Sequence, residues 1–239
     1  MKVLYSLLIG LIFTAYLEAQ PMDSLSNKPL RWKSMIAPAS LITTGLLVID
    51  EDEFISRTHI LEERNENATF FNRHIDDYLQ YTPAAAVFGL NALGVKGKNT
   101  IVEETILFVK SELLMSAIVY TLKQTTDIQR PDGSTYNSFP SGHTAQAFVA
   151  ATFLHKEYGH KSVWYSIGAY GAATTVGCMR VLGNRHWLSD VFVGAGVGIL
   201  STELVYATHK YKWSKRKIKL TGLPTYNQGA YGIYLSLAL

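Results

Sequence analysis

Arg180-Val181-Leu182-Gly183-Asn184-Arg185-His186-Trp187-Leu188-Ser189-Asp190 is the stretch on which the fold turns. It joins two long apolar stretches, 163–179 before it and 188–206 running out of it. Both exceed strand length, and Ala, Leu and Gly dominate them. Further out, 143–155, 104–122 and 83–95 have the same character, and Met35–Ile49 begins the series. Strand signals are nearly absent across all of these. The expected fold is therefore all-α, a helical bundle. Residues 20–34 are polar with two prolines, and 50–82 are charged and aromatic, the pattern of short helices and loops.

The tail departs from this pattern. Arg216-Lys217-Ile218-Lys219-Leu220 alternates, and Tyr231 to Leu239 alternates again, around the turn-rich Gly222-Leu223-Pro224-Thr225-Tyr226-Asn227-Gln228-Gly229. Alternation of period two on both sides of a turn predicts a short β-hairpin.

The bulk numbers set limits. Charged residues are 17% of the 239, below the usual quarter, while 48% are hydrophobic. A net charge of +3 is too small to indicate a nucleic-acid partner. One cysteine, Cys178, excludes an intrachain disulfide, Cys-rich zinc sites and Fe–S clusters. At the start, Lys2 precedes an apolar run ending near Ala19, the layout of a signal peptide cut after Ala19. Leu17 departs from the small-residue rule of the cleavage box, and an uncleaved anchor helix is the alternative.

Three segments carry chemistry. Lys123-Gln124-Thr125-Thr126-Asp127-Ile128-Gln129-Arg130-Pro131 follows the 104–122 stretch, and its proline discourages helix at Arg130. In Phe139-Pro140-Ser141-Gly142-His143-Thr144 the chain breaks before a new helix, which aims N–H groups and the helix dipole at an anion. The third is the opening stretch. Together they offer three cations (Lys123, Arg130 and Arg180), neutral donors at Ser141 and Gly142, and two imidazoles, His143 and His186. Asp190, four residues past His186, returns to the same helical face and can fix the tautomer of that imidazole. Positive charge and positioning are most of what phosphoryl transfer requires, and this set supplies them without a metal or cofactor. Singly, each segment has an ordinary reading: a helix stop, a helix start, a surface pair. Arg185 and Trp187 are candidate pocket-lining residues, Asp132-Gly133 a turn.

In order and spacing the three segments resemble the tripartite signature of the type 2 phosphatidic acid phosphatase and vanadium haloperoxidase superfamily. Six residues separate Lys123 from Arg130-Pro131, Pro140-Ser141-Gly142-His143 follows, and five residues separate Arg180 from His186 and three separate His186 from Asp190. Met179 departs from the pattern, which usually has Ser before the third-motif Arg. The resemblance implies a bundle with the site at one end. His186 would be the nucleophile, oriented by Asp190, and His143 the general acid. Lys123, Arg130, Ser141, Gly142 and Arg180 would hold the phosphate. The implied organisation is a signal peptide (1–19), a helical phosphatase domain (20–214) and a tail with the hairpin (215–239).

The implied substrate is a phosphorylated lipid of the cell envelope or a small phosphoester. Six apolar stretches after the signal favour membrane association, although several fall short of the roughly 20 residues that a bilayer needs. Lys96, Lys98, Lys156, Lys161 and the basic run from Lys210 to Lys219 lie at helix ends opposite the motifs, which places the motifs outside the cytoplasm, facing the periplasm. A cleaved signal followed by six full spans would place them inside. Hence one stretch, Met35–Ile49 or 83–95, fails to span, or the first segment is an anchor, or the bundle crosses no membrane. A soluble periplasmic acid phosphatase is the alternative function. Vanadium-dependent halide oxidation and a non-catalytic phosphate-binding module are remoter ones.

Overall fold

The computed structural model describes residues 32–49, 62, 64–66 and 74–209, and the backbone of 219–227 and 230–238. The stretch read as a signal peptide lies outside the described residues. One compact unit ends at Thr208, and His209–Leu239 forms a second.

Helices account for the first unit. A 3₁₀ turn at Trp32–Met35 leads into α1 (Ile36–Leu47), followed by α2 (Asp76–Leu79), α3 (Thr82–Ala92), α4 (Ile101–Thr125), α5 (Gly142–Tyr158), α6 (Val163–Leu182) and α7 (Leu188–Thr208). Their starts follow local chemistry. Thr100 and Glu103 form a capping box that opens α4 three residues ahead of the apolar run at 104–122. The side chain of Ser141 caps α5, that of Ser162 caps α6, and Pro83 sits in the first turn of α3.

Helix α7 is the central post. It packs on α1, α5 and α4, while α5 also packs on α6 and α3. Phe148, Phe153, Tyr158, Tyr170, Val176, Val191 and Ile199 fill the core. Glycines permit the close approach of α7 to its neighbours. A Cβ at Gly194 would stand 2.6 Å from the Ser141 carbonyl oxygen on the α5 side, and one at Gly196 2.8 Å from the Pro38 carbonyl oxygen of α1.

Among the described residues, two helices are long and apolar enough to cross a membrane by length and composition, α4 with 25 residues and α7 with 21. They differ in surroundings: α7 is mostly buried, whereas α4 turns Val102, Val109, Leu113 and Tyr120 outward. At 12 and 11 residues, α1 and α3 are too short to span, since a helix rises about 1.5 Å per residue. Two acidic groups within the long helices have protein partners, while Lys110 of α4 is exposed. Glu203 pairs with Lys156, and Glu112 accepts from Gln146 Nε2 at 2.6 Å.

The end of the bundle where α4 begins and α5 finishes is closed by a buried polar network. The Glu157 carboxylate accepts from Asn99 N (2.9 Å), Asn99 Nδ2 (2.6 Å) and Tyr206 Oη (2.6 Å). Beside it, Glu104 accepts from Asn91 Nδ2 at 2.6 Å, and both carboxylates are inaccessible to solvent. The donors come from α3, from the loop before α4 and from α7, so the network ties α3, α4, α5 and α7 together.

In the second unit, β1 (Lys219–Asn227) and β2 (Ala230–Ala238) pair antiparallel from Lys219↔Ala238 to Asn227↔Ala230. The segment 222–227, expected as turn, continues the strand. Pro224 pairs with Ile233, and a proline fits a two-stranded ribbon because both strands are edges.

Candidate active site

All three chemistry-bearing segments meet at the opposite end of the bundle, where α4 and α6 finish and α5 and α7 begin. The loop 183–187 makes this possible. Gly183 N bonds Met179 O at 2.8 Å, and Arg185 N and His186 N both return to Arg180 O, at 3.0 and 3.3 Å. Asn184 takes the left-handed conformation (φ 59°) that closes the reversal, and asparagine is among the residues best suited to it. The reversal tucks His186 beneath Arg180, leaving the imidazole 2% exposed.

Asp190 is the hub. Its Oδ2 accepts from Ser138 Oγ (2.5 Å), Trp187 N (2.9 Å) and His186 Nδ1 (3.3 Å), and Oδ1 accepts from Ser189 Oγ (3.4 Å). A carboxylate only accepts, so His186 carries its proton on Nδ1 and presents a lone pair at Nε2. Burial first, then the charges of Arg180 and Lys123, push the His186 pKa down to about 4 against the opposing pull of Asp190. This imidazole is neutral in mildly acidic and neutral solution. The backbone adds a tie: Ser141 N donates to Asp190 O at 3.0 Å, which fastens the second segment to the third.

The cations crowd around this hub. Lys123 Nζ donates to Asn137 O (2.6 Å) and Ser138 O (3.4 Å), which fixes it under the loop leading to α5. Burial and the like charge of Arg180 hold Arg130 below the ordinary arginine value. The Nε–H groups of Arg130 and Arg180 are buried with no hydrogen-bond partner among the described residues. Buried donors in native proteins are almost always satisfied, so this pair of guanidinium N–H groups is donor capacity that the described residues leave unused. Ser141, fully buried, uses its Oγ to cap α5 and accepts from Thr144 Oγ1 at 2.9 Å. A Cβ at Gly142 would meet only Val119 Cγ1, at 4.0 Å, so packing does not demand glycine there.

Helix α2 supplies residues that sequence reasoning does not single out. Asp76, itself buried, accepts from Arg180 Nη1 at 2.7 Å, and Asp77 Oδ1 lies 2.8 Å from His143 Nε2. Burial and Arg180 lower the His143 pKa, while the hydrogen bond and charge of Asp77 raise it. Asp76, Asp77 and His143 offer ligand-type atoms within 4.8 Å of one another, the one such grouping among the described residues. A guanidinium and an imidazole already take both carboxylates, so the cluster reads as an ion-pair network and not as a metal centre. Ser138, four residues before Gly142, is likewise invisible to the sequence pattern. The only signal for the acidic pair is two adjacent carboxylates ahead of Tyr78-Leu79, and an isolated pair carries little information.

Of the flanking residues, Arg185 Nη1 pairs with Asp132 Oδ2 at 3.2 Å and Trp187 Nε1 donates to Gln129 O at 2.7 Å. Both fasten the 183–187 loop to the 127–135 loop. Gly133 has a positive φ of 72°, as a turn at Asp132-Gly133 requires.

A family model described as the PAP2 superfamily matches residues 107–214, a stretch that includes all three segments. The chain belongs to the PAP2 superfamily. A relative named Lipid A 1-phosphatase, from Porphyromonas gingivalis, is 40% identical over 169 residues, covering 70% of this chain. The matched region is 36% of the length of that protein, so the chain spans about a third of the curated relative that it matches. Among solved structures, that of Aquifex aeolicus LpxE aligns over 61% of this chain and 93% of its own, with 24% identity and a TM-score of 0.47. Helix α2, with Asp76 and Asp77, lies outside the 107–214 segment matched by the PAP2 model.

Proposed function

We propose that this chain is a lipid-phosphate phosphatase working through a phosphohistidine on His186, with a lipid A-type glycolipid phosphate as the first substrate to test. The observation that carries the reading is the hub: a neutral imidazole held by Asp190 beside buried guanidinium N–H groups with no partner among the described residues. In this reading Arg130, Arg180, Lys123 and the Ser141-Gly142 turn take the phosphate oxygens. Nε2 of His186 attacks phosphorus in line with the departing oxygen, His143 protonates that oxygen, and water then cleaves the phosphorus–nitrogen bond. The name of the Porphyromonas gingivalis relative supports a lipid A-type substrate. Phosphatidic acid, phosphatidylglycerophosphate and polyprenyl diphosphate are the comparison substrates.

The outward apolar face of α4 supports a membrane setting over a soluble periplasmic enzyme, because four large apolar side chains in water along one helix are costly. Lys96, Lys98, Lys156 and Lys161 lie at the end of the bundle away from His186, which supports a site facing the periplasm. In detergent with EDTA present, the purified protein is expected to release phosphate from at least one of these lipids. A strict need for a divalent ion, or turnover of none of them, overturns the reading. Release of the protein by osmotic shock would favour the soluble alternative.

The pH profile is a second expected result. Attack requires neutral His186, so kcat/KM falls on the acid side only near pH 4. Protonation of the leaving group requires cationic His143, held below the ordinary histidine value, so the alkaline limb falls below pH 6.5. The optimum should therefore lie between these limits, in acid. A plateau through pH 8 with an alkyl phosphate would contradict the role of His143.

A further inference from the structure

We propose that Asp77 is a positioning residue for His143, selecting Nδ1 as the proton-delivering atom and holding the imidazole in its cationic form at the start of each turnover. This rests on the phosphatase reading above and deepens it. The geometry is specific. Asp77 Oδ1 lies 2.8 Å from His143 Nε2, and a carboxylate accepts, so Nε2 carries a hydrogen directed at Asp77. With Nε2 engaged, Nδ1 is the ring nitrogen left to deliver the proton.

Other charges press on His143 from the elements around it. Arg180 on α6 disfavours the imidazolium, while Asp77 and Asp76 on α2 favour it. His74 stands on the far side of Asp77, its Nδ1 3.5 Å from Asp77 Oδ2. Asp76 already spends its charge on Arg180 at 2.7 Å, so Asp77 is the carboxylate available to His143. Two adjacent residues thereby serve two segments, Asp76 setting the guanidinium and Asp77 the imidazole. A four-residue helix makes this possible by presenting consecutive side chains around its first turn.

In the first half of turnover, the lone pair of His186 Nε2 forms the bond to phosphorus while the bond from phosphorus to the leaving oxygen breaks, its electrons staying on oxygen. The proton on His143 Nδ1 passes to that oxygen, leaving His143 neutral with Nε2–H still on Asp77. Water then attacks phosphorus, its proton goes to Nδ1, and the phosphorus–nitrogen electrons return to His186. Asp77 neither gains nor loses a proton, and it touches no reacting atom.

The test uses Asp77→Asn and Asp77→Ala in full-length protein, with two substrates. One is whichever lipid phosphate the wild type hydrolyses, whose leaving alkoxide needs a proton. The other is p-nitrophenyl phosphate, whose leaving group departs as a stable anion. Because a general acid contributes roughly 10²–10⁴-fold, removing its partner is expected to lower kcat/KM on the lipid by about 10- to 100-fold. The loss on p-nitrophenyl phosphate should be several times smaller. The alkaline limb for the lipid should move to lower pH in Asp77→Asn, and the NMR titration of His143 should move down with it. Equal losses on both substrates with an unmoved limb and titration would reduce Asp77 to a structural contact and overturn the proposal. If Asp77→Ala loses its fold, Asp77→Asn, which keeps the shape and an acceptor, decides between the two roles. Wild-type inactivity on both substrates instead overturns the phosphatase reading, and the mechanistic role of Asp77 with it.

Discussion

Replacing His186 with alanine is expected to reduce phosphate release by on the order of 10⁵-fold, because removing a covalent nucleophile leaves only binding and charge stabilisation. The loss should be chemical and not structural. Asp190 keeps Ser138 Oγ, Trp187 N and Ser189 Oγ when the imidazole goes, so the hub remains hydrogen-bonded. The thermal midpoint should therefore shift little compared with the activity. Brief mixing of wild type with phosphorus-labelled substrate, followed by denaturation, should trap label that is stable in base and labile in acid, as a phosphoramidate is. His186→Ala should trap none. A variant that retained more than about a hundredth of wild-type turnover would move the covalent chemistry to another residue.

The second large effect is on stability and lies at the other end of the bundle. Glu157→Ala is expected to lower the unfolding free energy by about 3–5 kcal/mol, since each buried group left unpaired costs roughly 1–3 kcal/mol. Asn99 N, Asn99 Nδ2 and Tyr206 Oη, all partly buried, lose their shared acceptor together, and that acceptor is fully buried. For a chain of this size the thermal midpoint should drop by roughly 6–20 °C, at about 2–4 °C per kcal/mol. Glu157→Gln keeps the shape and one acceptor, so its loss should be smaller. Equal midpoints for wild type and Glu157→Ala would show that the network contributes no net stability.

These two ends are unequally legible in the sequence. Apolar length and composition locate the helices because a bundle core demands apolar residues over many turns, and 163–179 and 188–206 correspond to α6 and α7 with little change. Boundaries are less visible where polar caps decide them: the Thr100-Ile101-Val102-Glu103 signature opens α4, yet apolar content alone points to 104. The hairpin turn lies further along than composition suggests, because Gly222 and Pro224 look like turn residues whereas pairing of both strands carries them as strand positions. At the site, Lys123, Arg130, Ser141, His143, Arg180, His186 and Asp190 stand out because each lies at a break in an apolar background. Asp76, Asp77 and Glu157 do not. Their partners lie 104, 66 and 58 residues away in the chain, and only tertiary packing brings such groups together.

The glycine face of α7 has a consequence for how the protein tolerates change. Gly194 bears no functional group, yet its missing side chain lets the Ser141 carbonyl sit against α7, and Ser141 N is the group bonded to Asp190. A methyl group there would wedge α5 outward and carry the second motif away from the third. Gly198, one turn on, meets the Ala145 carbonyl in the same manner. The seam between α5 and α7 therefore constrains the chemistry from outside it: a side chain added at Gly194 or Gly198 would displace the second motif, although neither position bears a functional group.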